Sequence, residues 1–187
     1  MYTRIRHRRN LDSVTIGRFA GEESNTENTV SVGRKAGYSV QKQYAIAIGD
    51  RAGEEAQDLN AIAIGANAGT ETQSTKAIAL GDQAGQTSQG ANSIAIGSQA
   101  GNTGQPANSI ILNATGVAVN GSTANAFFVK PIRADLTQTT PLCYNSASGE
   151  IVVGGIPFSQ NSEVKIGLNA GIGQNSGSNS IAIGNGS

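Results

Sequence analysis

The chain has no tryptophan, one cysteine, one histidine and one methionine, and aromatic residues fill only 4% of its 187 positions. So few large rings leave little material for a bulky globular core and favour a thin, regular one. Cys143 has no partner for an intramolecular disulfide and no second thiol for a metal site, so it is expected to be a small buried hydrophobe. His7 stands alone too, which excludes a histidine metal cluster or a Ser-His-Asp arrangement within one chain. An enzyme is not expected, nor a catalytic residue, metal or cofactor, nor a small-molecule substrate. Lys plus Arg (13) balances Asp plus Glu (13), so no net field draws the protein to nucleic acid or to an anionic membrane. No apolar run reaches the ~18 residues of a membrane span. The opening MYTRIRHRRN also lacks the apolar stretch that follows the charged part of a signal peptide.

Glycine is abundant, at 25 residues, and it is placed with a fixed rhythm. AIAIG stands at 45–49 and again at 61–65, followed by AIALG at 77–81 and SIAIG at 93–97. The closing glycines Gly17, Gly33, Gly49, Gly65, Gly81 and Gly97 are 16 residues apart, and Asn113 takes the next place. Three residues after each comes an alanine (Ala20, Ala36, Ala52, Ala68, Ala84, Ala100), then a second glycine. A fixed period this short means a solenoid whose coils stack, because a lone coil cannot bury its own apolar face.

The coils must be strands. Val14 and Ile16, Val30 and Val32, Ile46 and Ile48, Ile62 and Ile64, Ile78 and Leu80, and Ile94 and Ile96 recur at every second position, the strand period. This branched column is expected to fill the interior of the coil. The glycines allow positive φ at the corner, and the alanine after each can turn inward where strands approach closely. The alternate face carries Ala45, Ala47, Ala61, Ala63, Ala77, Ala79 and Ala95, none of them long or charged. A strand face in water usually carries long polar residues, so the alanine column is expected to meet another subunit. A coil stack with one apolar face is marginal against chain entropy, and a second buried face would relieve it. On that reading Ala63→Arg should prevent assembly. A further column, Gln41, Gln57, Gln73, Gln89 and Gln105 with Asn25 in the first unit, is expected to form an amide ladder from coil to coil.

The fold class is therefore all-β, a parallel β-solenoid or β-roll of 16-residue coils, interrupted by a small segment that contains a hairpin. Residues 1–12 form a basic N-terminal segment, 13–117 a roll of seven coils, 118–160 a connector and cap, and 161–187 the truncated start of a second roll. In the connector, Leu142 to Asn145 and Glu150 to Val153 flank a turn. Phe127, Phe128, Ile132 and Leu142 are expected to plug the open end of the roll. VKIG and SIAIG then return with Gly167 and Gly184 17 residues apart, and the run stops at Ser187, as in a fragment of a longer fibre. Hexapeptide and calcium-binding nonapeptide solenoids have periods that do not divide into 16. Asn113-Ala-Thr, Asn120-Gly-Ser and Asn185-Gly-Ser fit the glycosylation sequon.

SIAIGSQAG and AIAIGANAG resemble the head repeat of YadA-like trimeric adhesins, a left-handed parallel β-roll that assembles as a tight homotrimer. The stretch from LNATGVAVNGSTANAFFVKPIR to LCYNSASGEI resembles a segment that follows such repeats in fibre proteins of tailed phages and large DNA viruses. The resemblance implies a non-enzymatic structural fibre or spike on a virion surface, engaged in host attachment through a host glycan or protein receptor. An extracellular or cell-surface adhesin head and an internal capsid scaffold or cement protein are the alternatives. The one concentrated charge, Arg4, Arg6, Arg8 and Arg9, is the candidate dock for a capsid or other virion protein.

Overall fold

We describe a computed structural model, which covers residues 5–6, 12–23, 26–134, 142–153, 164–166 and 181–183. The described residues are all β, without helix. β1 (Ile5–Arg6), β2 (Val14–Ile16), β3 (Val30–Val32), β4 (Ile46–Ile48) and β5 (Ile62–Ile64) open the chain. β6 (Glu71–Gln73), β7 (Ile78–Leu80), β8 (Thr87–Gln89), β9 (Ile94–Ile96), β10 (Ile110–Asn113) and β11 (Phe127–Lys130) follow. Beyond them come β12 (Leu142–Asn145), β13 (Glu150–Val153), β14 (Val164–Ile166) and β15 (Ile181–Ile183).

One nine-stranded sheet runs β1-β2-β3-β4-β5-β7-β9-β10-β11. All of its pairs are parallel except β1 on β2, and like residues align, as in Ile46↔Ile62 and Ala47↔Ala63. At the usual strand spacing the eight parallel strands make a rod about 34 Å long. β6 and β8 pair separately, on the other side of the coil, with bridges Gln41↔Gln57 and Gln57↔Gln73 continuing the line. Each coil is thus a flattened loop with the IAIG strand in front and the glutamine segment behind.

The corner glycines show why the period is so strict. Gly49 has φ 132°, and a Cβ there would stand 2.5 Å from the Gly65 carbonyl oxygen of the next coil. Four residues on, Gly53 has φ 53°, and a Cβ would meet the Gln57 Oε1 at 2.8 Å. The first glycine permits coils to stack at backbone distance; the second leaves space for an amide inside.

The interior is the reverse of the sequence expectation. Ala45, Ala47, Ala61, Ala63, Ala77, Ala79 and Ala95 are fully buried within the coil, so they do not form an intersubunit face. They pack with the corner alanines Ala36, Ala52, Ala68, Ala84 and Ala100. The branched residues point outwards: Val14, Leu80 and Ile96 are about two-fifths exposed, and Ile16, Val30, Val32, Ile46, Ile48, Ile62, Ile64, Ile78 and Ile94 are half-buried. The physical reason is volume. A 16-residue coil with two short strands encloses space for alanine methyls and one glutamine, and two isoleucines per coil would overfill it.

The glutamine column completes that interior. Gln41 Nε2 donates to Gln57 Oε1 at 3.1 Å, Gln57 to Gln73 at 3.1 Å, Gln73 to Gln89 at 3.1 Å and Gln89 to Gln105 at 3.2 Å. Each amide also donates to backbone carbonyls of its own coil, as Gln73 does to Ile62 at 2.7 Å and Ala77 at 3.3 Å. Buried amides are tolerated because these bonds satisfy them. Ser31, in the place alanine takes in later coils, donates to the first oxygen of the chain, Gln41 Oε1, at 2.6 Å. Asn25 lies outside the described residues.

At the far end the ladder gives way to apolar filling. The interior column changes from Ala95 to Ile111 to Phe128, and Gly121 stands where the next glutamine would be. A Cβ on Gly121 would lie 2.7 Å from the Phe128 ring, so the ring takes the amide's place. Of the expected plug, Phe128 packs on the core, whereas Phe127, Ile132 and Leu142 are at least half exposed. Because β11 pairs with β10, the roll continues past residue 117. The chain divides into two units, residues 1–132 and 133–187. In the second unit β12 and β13 form the hairpin, with Leu142 opposite Val153, and β14 pairs with β15 in parallel. Cys143 is half-buried on that two-stranded hairpin, which is too thin to enclose it.

Candidate functional site

The outward branched column makes the feature with most to do. Two residues per strand, repeated over eight parallel strands from Val14 to Val129, give a continuous apolar stripe about 34 Å long. Period-two alternation places both branched residues of every strand on that one face. Soluble monomers seldom leave a contiguous apolar patch beyond a few hundred Å² uncovered. The stripe needs no change of backbone to be available, since the coil interior is closed without it.

Two polar columns border the stripe. Before each strand lies a residue with positive φ: Asp12, Asn28, Tyr44, Asn60, Lys76, Asn92, Asn108 and Asn125. Asparagine suits this left-handed position, and Tyr44 and Lys76 occupy it against their own preference. After the closing glycine of each strand lies the other border, which includes Arg18, Arg34, Asp50 and Asp82. Sequence reasoning missed both borders, although the recurrence of Asn at 28, 60, 92 and 108 was a readable sign of the left-handed corner.

Charge is concentrated on the first coils and is mostly tied between neighbours. Arg34 pairs with Asp50 at 2.7 Å, Lys35 with Glu54 at 2.6 Å and Lys42 with Asp58 at 3.0 Å. Burial works against the Asp58 carboxylate, but the Leu59 N–H, the Lys42 ammonium and the Thr75 hydroxyl outweigh it and hold Asp58 below the usual carboxylate range. The Tyr38 hydroxyl donates to Glu23 at 2.9 Å, and that bond and charge raise it above the ordinary tyrosine value. Asp50 Oδ1 is buried without a hydrogen-bond partner.

Among the described residues no group of three His, Cys, Asp or Glu side chains could hold a metal ion. Nor is any helix there long and apolar enough to cross a membrane. Of the basic run, Arg6 lies in β1, paired with Thr15 at the start of the roll, while Arg4, Arg8 and Arg9 lie outside the described residues, as does His7. Asn113 is buried as a closing device for its coil, its amide donating to Ser98 and Val117 carbonyls at 2.7 and 2.8 Å. Its Oδ1 accepts from the Thr115 hydroxyl, so this sequon presents no free acceptor. Asn120 is exposed, and Asn185 lies outside the described residues.

No protein-family model, curated protein or solved structure matches the chain.

Proposed function

We propose that the chain is a non-enzymatic shaft element of a homotrimeric fibre or spike on a virion surface, stiff enough to hold a receptor-contacting end away from the particle. The observation that carries this reading is the uncovered branched stripe on a rod whose interior is already filled. A second and third copy, each with the same ~4.8 Å row spacing, can mesh with it along its whole length. The seam in this proposal is the branched column, and the alanine column belongs to the coil. The amide ladder and the coil-to-coil backbone bonds supply stiffness along the rod.

Placement on a virion rests on the likeness of the FFVKPIR and LCYNSASGEI stretches to viral fibre segments. In this reading the N-terminal basic segment faces a capsid or other virion protein, and the exposed flanks face a host glycan or protein. Light scattering of the purified chain tests the assembly: a mass near three times 19.0 kDa is expected, and a monomer would refute the trimeric shaft. Antibody against the roll should label intact particles; labelling of cell envelopes alone would favour the adhesin reading.

A further inference from the structure

We infer that the two polar borders of the stripe form intersubunit ion pairs that set the copies parallel and level with one another, with Lys76 of one chain against Asp82 of the next. The inference rests on the self-association proposed above and specifies its geometry. Lys76 and Asp82 sit at opposite ends of the same strand, β7, with the three-residue strand between them. Both are exposed, and among the described residues neither forms an ion pair within the chain. Rotation about an axis parallel to the rod brings the leading border of one copy to the trailing border of its neighbour, at the same height.

The sequence is complementary under that operation. Asp12 comes level with Arg18, Tyr44 with Asp50, and Lys76 with Asp82. Asp50 has a side chain 44% exposed in the single chain, and a tyrosine hydroxyl is a donor suited to a carboxylate. At the other four levels of the roll, down to residues 108 and 114, at most one member is charged, so no like charges meet. The opposite arrangement is penalised. A two-fold axis across the rod at its middle strand, β5, reverses the heights and sets Asp50 against Asp82. Complementary borders therefore select the level, parallel cyclic arrangement, while the uniform apolar stripe by itself would tolerate slippage by whole coils.

Charge reversal with a swap tests this. Lys76→Glu and Asp82→Lys should each lower the association constant by on the order of tenfold, since every subunit boundary carries the altered pair. The Lys76→Glu/Asp82→Lys double variant should restore it, and Glu71→Lys on the back of the coil should leave it unchanged. Far-UV circular dichroism of all four should match the parent, because every altered side chain is exposed. A carbodiimide should also join Lys76 to Asp82 between isotopically labelled and unlabelled chains. An assembled parent whose single variants associate normally, or whose double variant fails to recover, would overturn the border pairing and leave the shaft standing. A monomeric parent would overturn both.

Discussion

Replacing Gln73 by glutamate tests the buried ladder with a change of one atom type and almost no volume. Gln73 lies at the ladder's centre, and its Nε2 hydrogens are shared among the Ile62 carbonyl at 2.7 Å, the Ala77 carbonyl at 3.3 Å and Gln89 Oε1 at 3.1 Å. A carboxylate there keeps the bond from Gln57 but turns its second oxygen onto three other oxygens. A protonated carboxyl recovers one donor, so below pH 4 the variant should lose about 1–3 kcal/mol, the cost of one unmet buried group. The folded state then holds its proton more tightly than the unfolded chain, whose glutamate titrates near ~4.3. Stability is consequently greatest below that value and falls by about 1.4 kcal/mol per pH unit as the pH rises, until the folded carboxyl itself ionises. By pH 7 this adds about 3–4 kcal/mol to the deficit. Urea midpoints of parent and variant, compared at one protein concentration from pH 4 to pH 8, give the measurement. A difference between the two that stays flat above pH 5 would mean the carboxylate reaches water, and the closed amide interior would be refuted.

Ala63→Arg should unfold the roll, because its Cβ lies in the filled interior, whereas Ile64→Arg should leave a folded chain that no longer assembles; sedimentation and circular dichroism separate the two. Gly49→Ala should cost several-fold more than Gly104→Ala in thermal unfolding. Gly104, at φ 63°, carries only the left-handed penalty of about 1–2 kcal/mol and has open space, whereas Gly49, at φ 132°, lies outside that region and would also drive a Cβ into a neighbouring carbonyl. Asp58, held below the usual carboxylate range, contributes stability that is full above the unfolded value near ~3.9 and is lost as the pH falls through the folded one. Asp58→Asn should flatten that acid limb, and an unchanged limb would assign it elsewhere.

The strand, the 16-residue rise, the hairpin partners and the glutamine column were all legible, because each depends on spacing alone. Which face of the strand lies inside was not. Alternation of Ile and Ala states that the faces differ, and hydrophobicity ranks the larger residue as core, but neither measures the room within a coil. The glutamine column held the missing information. A long amide that must reach carbonyls across the coil leaves only methyl-sized space opposite, so recognising the ladder as interior implies alanine beside it. The end of the roll was half legible for the same reason: FFVK looked like a plug, yet the slot emptied by Gly121 admits a single ring, Phe128.

Turning the strand over changes the logic of the whole rod. With alanine and glutamine filling the coil, the interior is closed without the outward column, which leaves that column free for the proposed seam. The distribution of charge bears on the same point. From Gln83 to Val129 no residue is charged, while the stripe runs on through Ile94, Ile96, Ile110 and Leu112. A neutral flank beside an open apolar face offers little to keep single chains apart in water. The earlier coils, with their ion pairs between neighbours, carry most of the roll's surface charge. In the proposed trimer the later coils, with no charge of their own, gain most from covering the stripe.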